Sequence, residues 1–160
     1  MKYVFLIPFL VFPFLLPAQK ADSSIVARVK ESGAFLFSGS KAYGIRIELK
    51  GIYIHGQQFY LSFRVSNRSR LDYPIEFIHL YVHDKVTAKR TSVQDVELTP
   101  LFSDTLSNVK AKTRKDFVIV VPQFTLPASK ETMFEIFELN GGRNLKMKIA
   151  NKCIFQARAL

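Results

Sequence analysis

His79, Tyr81 and His83 alternate along one stretch of the chain, with Asp84 beside them. Two histidines and a carboxylate could hold a metal ion. In an extended strand, residues two apart are separated by about 7 Å, so both imidazoles reach one zinc only if the strand bulges. They are expected to be structural histidines on a half-covered face. Asp95 and Glu97 form a second alternating pair. Glycoside hydrolysis needs its two carboxylates across a cleft, and two acids on one strand face are expected to be solvated. Ser107-Asn108-Val109-Lys110 matches S-x-x-K, but that nucleophile motif works from a helix in a large acyl-transfer fold. Here it lies in a basic loop without partner motifs. The chain has no G-x-S-x-G, no phosphate-binding glycine loop and no dinucleotide fingerprint. The single thiol, Cys153, is expected to be a small apolar core residue. No enzyme, metal or cofactor is expected.

Charge is the stronger signal. The 160 residues carry 23 lysines and arginines against 13 acids, a net charge of +10. That balance favours acidic surroundings. Lys85, Lys89 and Arg90 form one cluster, and the segment 110–115 forms another. The first cluster follows a stretch, 75–82, with apolar residues at both parities: Ile78, Leu80 and Val82 on one face, Phe77 and Tyr81 on the other. A strand apolar on both faces is central, or has one face covered by something else. Lys85, Lys89, Arg90, Tyr81 and His83 are therefore the expected partner-binding surface. No DNA- or RNA-reading motif orders the tyrosines, so direct nucleic-acid binding is not expected, nor is a small-molecule substrate.

The elements that position these residues read as strands. Ile45, Ile47 and Leu49 alternate with charged residues, and Gly51 allows a bulge before 52–54. A turn at 55–57 leads to Phe59, Leu61, Phe63 and Val65, again at period two, giving an antiparallel pair. Further strands are expected at 34–38, 75–82, 93–98, 117–121, 133–139, 145–149 and 154–155, with a long loop over 103–115. Asn140-Gly141-Gly142-Arg143 predicts a two-residue hairpin turn with positive φ at both central positions. No segment shows a helical stripe. The fold class expected is all-β: a single antiparallel, immunoglobulin-like β-sandwich over 38–160.

Residues 1–18 have a positive start at Lys2, an uncharged run rich in Phe, Leu and Pro, and a small residue, Ala18. That order describes a cleaved secretory signal peptide. The run is too short for the roughly 20 residues that span a bilayer. Residues 19–37 are mostly polar and are expected to be a poorly ordered or loosely docked lead-in.

Several separate motifs also resemble a known family. They are Tyr43-Gly-Ile-Arg-Ile-Glu-Leu-Lys-Gly-Ile-Tyr-Ile-His55, Val65-Ser66-Asn67-Arg68-Ser69, Ala88-Lys89-Arg90-Thr91, Pro122-Gln123-Phe124-Thr125-Leu126-Pro127 and Asn140-Gly141-Gly142-Arg143. In this order they resemble the TraN family of Bacteroidetes conjugative transposons. The resemblance implies a non-enzymatic assembly component of a conjugative type IV secretion system. It would be periplasmic or outer-membrane associated and contact other envelope proteins, including a small lipoprotein. The family pattern has a further N-terminal β-domain, where this sequence has only a short stretch between Ala18 and Ser38. The other expectation is a stand-alone exported module for an anionic or glycan ligand.

Overall fold

A computed structural model describes residues 21–36, 38–85 and 95–160. The elements are α1 (Ser23–Glu31), β1 (Ser38–Ala42), β2 (Ile45–His55), β3 (Gln58–Asn67), β4 (Tyr73–Asp84), β5 (Val96–Glu97), β6 (Phe102–Ser103), β7 (Asn108–Val109), β8 (Arg114–Pro122), β9 (Lys130–Glu138), β10 (Leu145–Ile149), α2 (Asn151–Phe155) and β11 (Arg158–Ala159). The fold is mostly β, with two sheets and some helix. One sheet has six strands, ordered β1-β2-β3-β8-β6 with β11 pairing β2. The other has five, ordered β10-β9-β4-β5 with β7 pairing β4. Among the described residues the ladders are antiparallel except that of β2 with β11.

The period-two pattern does what its chemistry dictates. Ile45, Ile47 and Leu49 of β2, and Leu61, Phe63 and Val65 of β3, enter one core cluster with Leu80, Phe134, Ile136, Leu145 and Met147 of the second sheet. Phe134 stacks on Phe63 at 4.6 Å between ring centroids, so an aromatic contact joins the two sheets at their centre. The expected bulge is present: the β2–β3 register shifts between Leu49 and Gly51. Cys153 is buried in this core, as expected, although from a helix.

Five expectations are corrected. The lead-in is not loose: its middle forms α1. Asp22 accepts the Ser24 amide at 2.8 Å at the N-terminal end. Ile25, Val26 and Val29 fall on one side and pack on Tyr53, Tyr60, Val118 and Val120, the outer face of the six-stranded sheet. The edge strand lies at Ser38–Ala42, downstream of the apolar run 34–38. Residues 154–155 belong to α2 rather than a last strand. The 140–143 segment is not a two-residue hairpin. Asn140 alone in that stretch takes a positive φ, of 53°, and the connection between β9 and β10 is longer. Two-residue hairpin turns lie instead at Tyr43-Gly44, between the paired Ala42 and Ile45, with φ of 54° and 78°, and at Gly56-Gln57, between the paired His55 and Gln58, where a turn was expected. The 103–115 loop also contributes the short strands β6 and β7.

Candidate functional site: an aromatic sheet face

The two sheets differ in what covers their outer faces. The six-stranded sheet has α1 across it. It is fixed there by charge as well as apolar contact. Lys50, only 5% exposed, donates to Asp116 at 2.8 Å and to the Lys30 carbonyl at 2.9 Å near the end of α1. Arg64 grips the same carboxylate through two nitrogens, at 2.6 and 2.8 Å. Burial alone would raise the Asp116 carboxyl, but the bonds from Arg64 and Lys50 outweigh it and hold it below the usual carboxylate range. Lys30 adds a 3.0 Å pair with Asp104.

The five-stranded sheet has no such cover among the described residues. Its outer face is built from alternate residues of β4 and β9, paired in register: Phe77 with Phe137, His79 with Glu135, Tyr81 with Met133, His83 with Glu131. Phe77 and Phe137 stack at 4.3 Å, and Phe77 is still 48% exposed. The His79 ring stacks on Tyr81 at 4.6 Å, and His83 meets Tyr81 edge-on at 6.4 Å. An aromatic row therefore runs along β4, open to solvent at Phe77 and closed at Tyr81, which is buried. Phe77 also lines an open groove of about 320 Å³ at the side of β4, with Ile78, Pro100, Thr105 and Leu106.

Charge fringes the row. Tyr81 donates to Glu135 at 2.6 Å and accepts from Lys146 at 2.6 Å, while Lys146 pairs with Glu135 at 2.9 Å. Lys148 pairs with Glu131. Burial and the Glu135 bond push the Tyr81 hydroxyl up. Burial would raise Glu135, yet bonds from Tyr81 and Lys146 hold it down. The phenol thus keeps its proton and the carboxylate stays ionised, and neither is poised to exchange a proton near neutrality. His83 faces Asp95, with Nδ1 and Oδ1 2.7 Å apart. The two histidines have the Tyr81 ring between them and do not converge. Among the described residues no group of His, Cys, Asp and Glu could hold a metal ion.

Of the five expected partner-binding residues, Tyr81 and His83 lie on this face. Lys85 lies past the end of β4, exposed, and donates to the Ala128 carbonyl at 2.6 Å. Lys89 and Arg90 lie outside the described residues. Sequence reasoning did not single out Phe137, Glu135 or Lys146. The signal for them is register: they become neighbours of Phe77 and Tyr81 only once β9 is paired between β4 and β10.

Fold and face together define a small β-rich domain with an aromatic row exposed at Phe77 and buried at Tyr81, and no convergent catalytic set among the described residues. The chain belongs to the family described as "Domain of unknown function (DUF4138)", which matches residues 23–159, from the first turn of α1 to β11. No curated protein matches it. The match corrects the motif resemblance. The family is DUF4138 and not a named TraN family, so the identification as TraN is set aside, together with conjugation and type IV secretion.

Proposed function

We propose that this protein is an exported, non-enzymatic docking domain that acts by protein–protein contact through the outer face of β10-β9-β4-β5. The observation that carries the reading is the exposed Phe77–Phe137 stack. An antiparallel sheet that faces water on one side normally carries polar groups there. The apolar residues on the other sheet's outer face have α1 to cover them, and among the described residues these two rings have no counterpart to α1. Stacked aromatics rimmed by paired charges suit a protein interface, where rings give contact area and the rim gives orientation. On this reading the two sheets form an immunoglobulin-like sandwich.

Site-specific photo-crosslinking tests the proposal. A photoreactive phenylalanine analogue at Phe77 in the native cell should give one discrete protein adduct. The same analogue at Phe155, exposed on α2, should give none. Absence of an adduct at Phe77, or equal adducts at both positions, overturns the proposal. Export rests on residues 1–18. The mature protein should begin at Gln19 by intact mass, and a mature mass retaining residues 1–18 would refute cleavage behind Ala18.

A further inference from the structure

We infer a second surface: one end of the two sheets binds the headgroup layer of an anionic lipid bilayer. Four connections meet there. They are the Tyr43-Gly44 turn, the β3–β4 loop 68–72, the β7–β8 turn 110–113 and the β9–β10 connection 139–144. Contacts tie them together: the Arg68 amide donates to the Gly44 carbonyl at 2.7 Å, Asn67 to Thr113 at 2.8 Å, and Arg143 to the Asp72 carbonyl at 2.6 Å.

Cations line this end in an ordered way. Lys41 pairs in register with Arg46, Arg46 with Ser66, and Ser66 with Arg114. They form one row across four adjacent strands spaced about 4.8 Å apart. Ile45 and Ile47 beside them point into the core, so the row faces outward. Arg68 and Lys112 continue it: Lys112 donates to the Arg68 carbonyl at 2.5 Å, and both line a hollow with Ser66 and Arg114. Among the described residues Lys41, Arg68, Lys112 and Arg114 pair with no carboxylate. The acids nearby are engaged: Glu48 with Arg46, and Asp72 with the Ala111 amide. At the opposite end the turns 55–57 and 123–129 contain no Lys, Arg, Asp or Glu, and of the described cations beside them Lys85 is tied to the Ala128 carbonyl and Lys130 pairs with Asp84.

A basic patch alone would suit any polyanion. The apolar tips select a bilayer. Tyr43 is 65% exposed and Leu71 69% exposed, each at a loop apex among these cations. Tyr43 is costly where it stands. It holds a left-handed φ of 54°, where glycine or asparagine is at ease, and it packs against nothing in the core. A large ring kept in a strained, solvent-facing turn points to a role outside the fold. Apolar tips entering the interface inside a ring of cations are the two components of peripheral membrane binding.

The chain has no tryptophan, so a single one is a clean reporter. The mature chain carrying Tyr43→Trp, or separately Leu71→Trp, is mixed with phosphatidylcholine vesicles with or without phosphatidylglycerol. Emission should move to the blue only with phosphatidylglycerol, and return at high salt. Phe155→Trp should not respond. Arg68→Glu, Lys112→Glu and Arg114→Glu together should weaken vesicle co-sedimentation on the order of a hundredfold, with the thermal midpoint retained. Tyr43→Asn should separate the two roles, raising the midpoint by a few degrees while weakening vesicle binding. No blue shift with phosphatidylglycerol, or an equal shift from Phe155→Trp, overturns the inference. So does single-stranded DNA bound as tightly as vesicles and indifferent to Tyr43→Asn, since that identifies a general polyanion surface.

Discussion

Asp116→Ala should cost about 3 kcal/mol of folding stability, and Lys50→Met much less. The asymmetry follows from which charge is left behind. Lys50 is nearly sealed from water beneath the end of α1. Among the described residues its ammonium bonds the Asp116 carboxylate and the Lys30 carbonyl and nothing else. Without Asp116, a buried cation keeps one neutral acceptor, and Arg64 loses a two-point partner. Methionine at position 50 keeps most of the side-chain volume and removes the charge. Asp116 then remains bonded by Arg64. Urea unfolding of the two variants at neutral pH measures both losses. Equal losses would mean that the buried cation is not the source of the cost. The effect has a pH sign. The Asp116 carboxyl is held below its ordinary value, so its contribution is present above the unfolded carboxyl pKa of about 3.9 and is lost as pH falls through the lower folded value. The gap between wild type and Asp116→Ala should therefore close in acid.

This same region marks where the sequence was legible and where it was not. Alternation along 45–49 and 59–65 is a local signal, because each residue's face is set by its parity, and the structure follows it. The strand at 75–82, apolar at both parities, reads as central or as covered on one face, and β4 lies between β9 and the short strands β5 and β7. Helix α1 leaves a weaker mark. Only Ile25, Val26 and Val29 give it an apolar side, and its stability comes from tertiary contacts that no local pattern contains: Tyr53, Tyr60, Val118 and Val120 beneath it, and Lys50 and Asp104 at its end. Lys50 itself looked like one more wet residue in an alternating strand. The bulge next to Gly51 sets it apart from that alternation and makes it a buried anchor. Tyr81 and His83 could be picked out because they share a strand with Phe77. Their partners Glu135, Phe137 and Lys146 come from strands far along the chain, and pairing order is not written in any single segment. The hairpin signal shows how a local rule can mislead. Asn140-Gly141 has the preferred composition, while the unfavourable Tyr43-Gly44 makes a two-residue turn because the β1–β2 register closes there.

Gly141→Ala should cost about 2 kcal/mol, and Gly142→Ala less than about 0.5 kcal/mol. The two neighbours look interchangeable in the sequence and differ sharply in space. A methyl group on Gly142 meets open space. One on Gly141 would overlap the Glu138 carboxylate. That carboxylate is buried and accepts from the Arg143 amide at 2.9 Å and from Nε at 2.8 Å, with Nη2 on the same oxygen. The Arg143 bonds hold the Glu138 carboxyl below its usual range. Arg143 in turn donates to the Asp72 carbonyl and the Ser69 hydroxyl, and its guanidinium lies 5.2 Å from the Tyr73 ring centre. The Tyr73 hydroxyl donates to the Arg143 carbonyl at 2.8 Å. Burial pushes that hydroxyl up to about 12, so it stays a donor throughout the neutral range. Displacing the Glu138 carboxylate therefore loosens the whole tie between the 68–72 and 139–144 connections. The mechanism predicts non-additivity. In an Arg143→Ala background the carboxylate keeps the amide of residue 143 but has lost the guanidinium that pins it, so it can yield and Gly141→Ala should add less cost than in the wild type. Full additivity of the two losses would place the cost of Gly141→Ala in the backbone of the turn rather than in the Glu138–Arg143 pair.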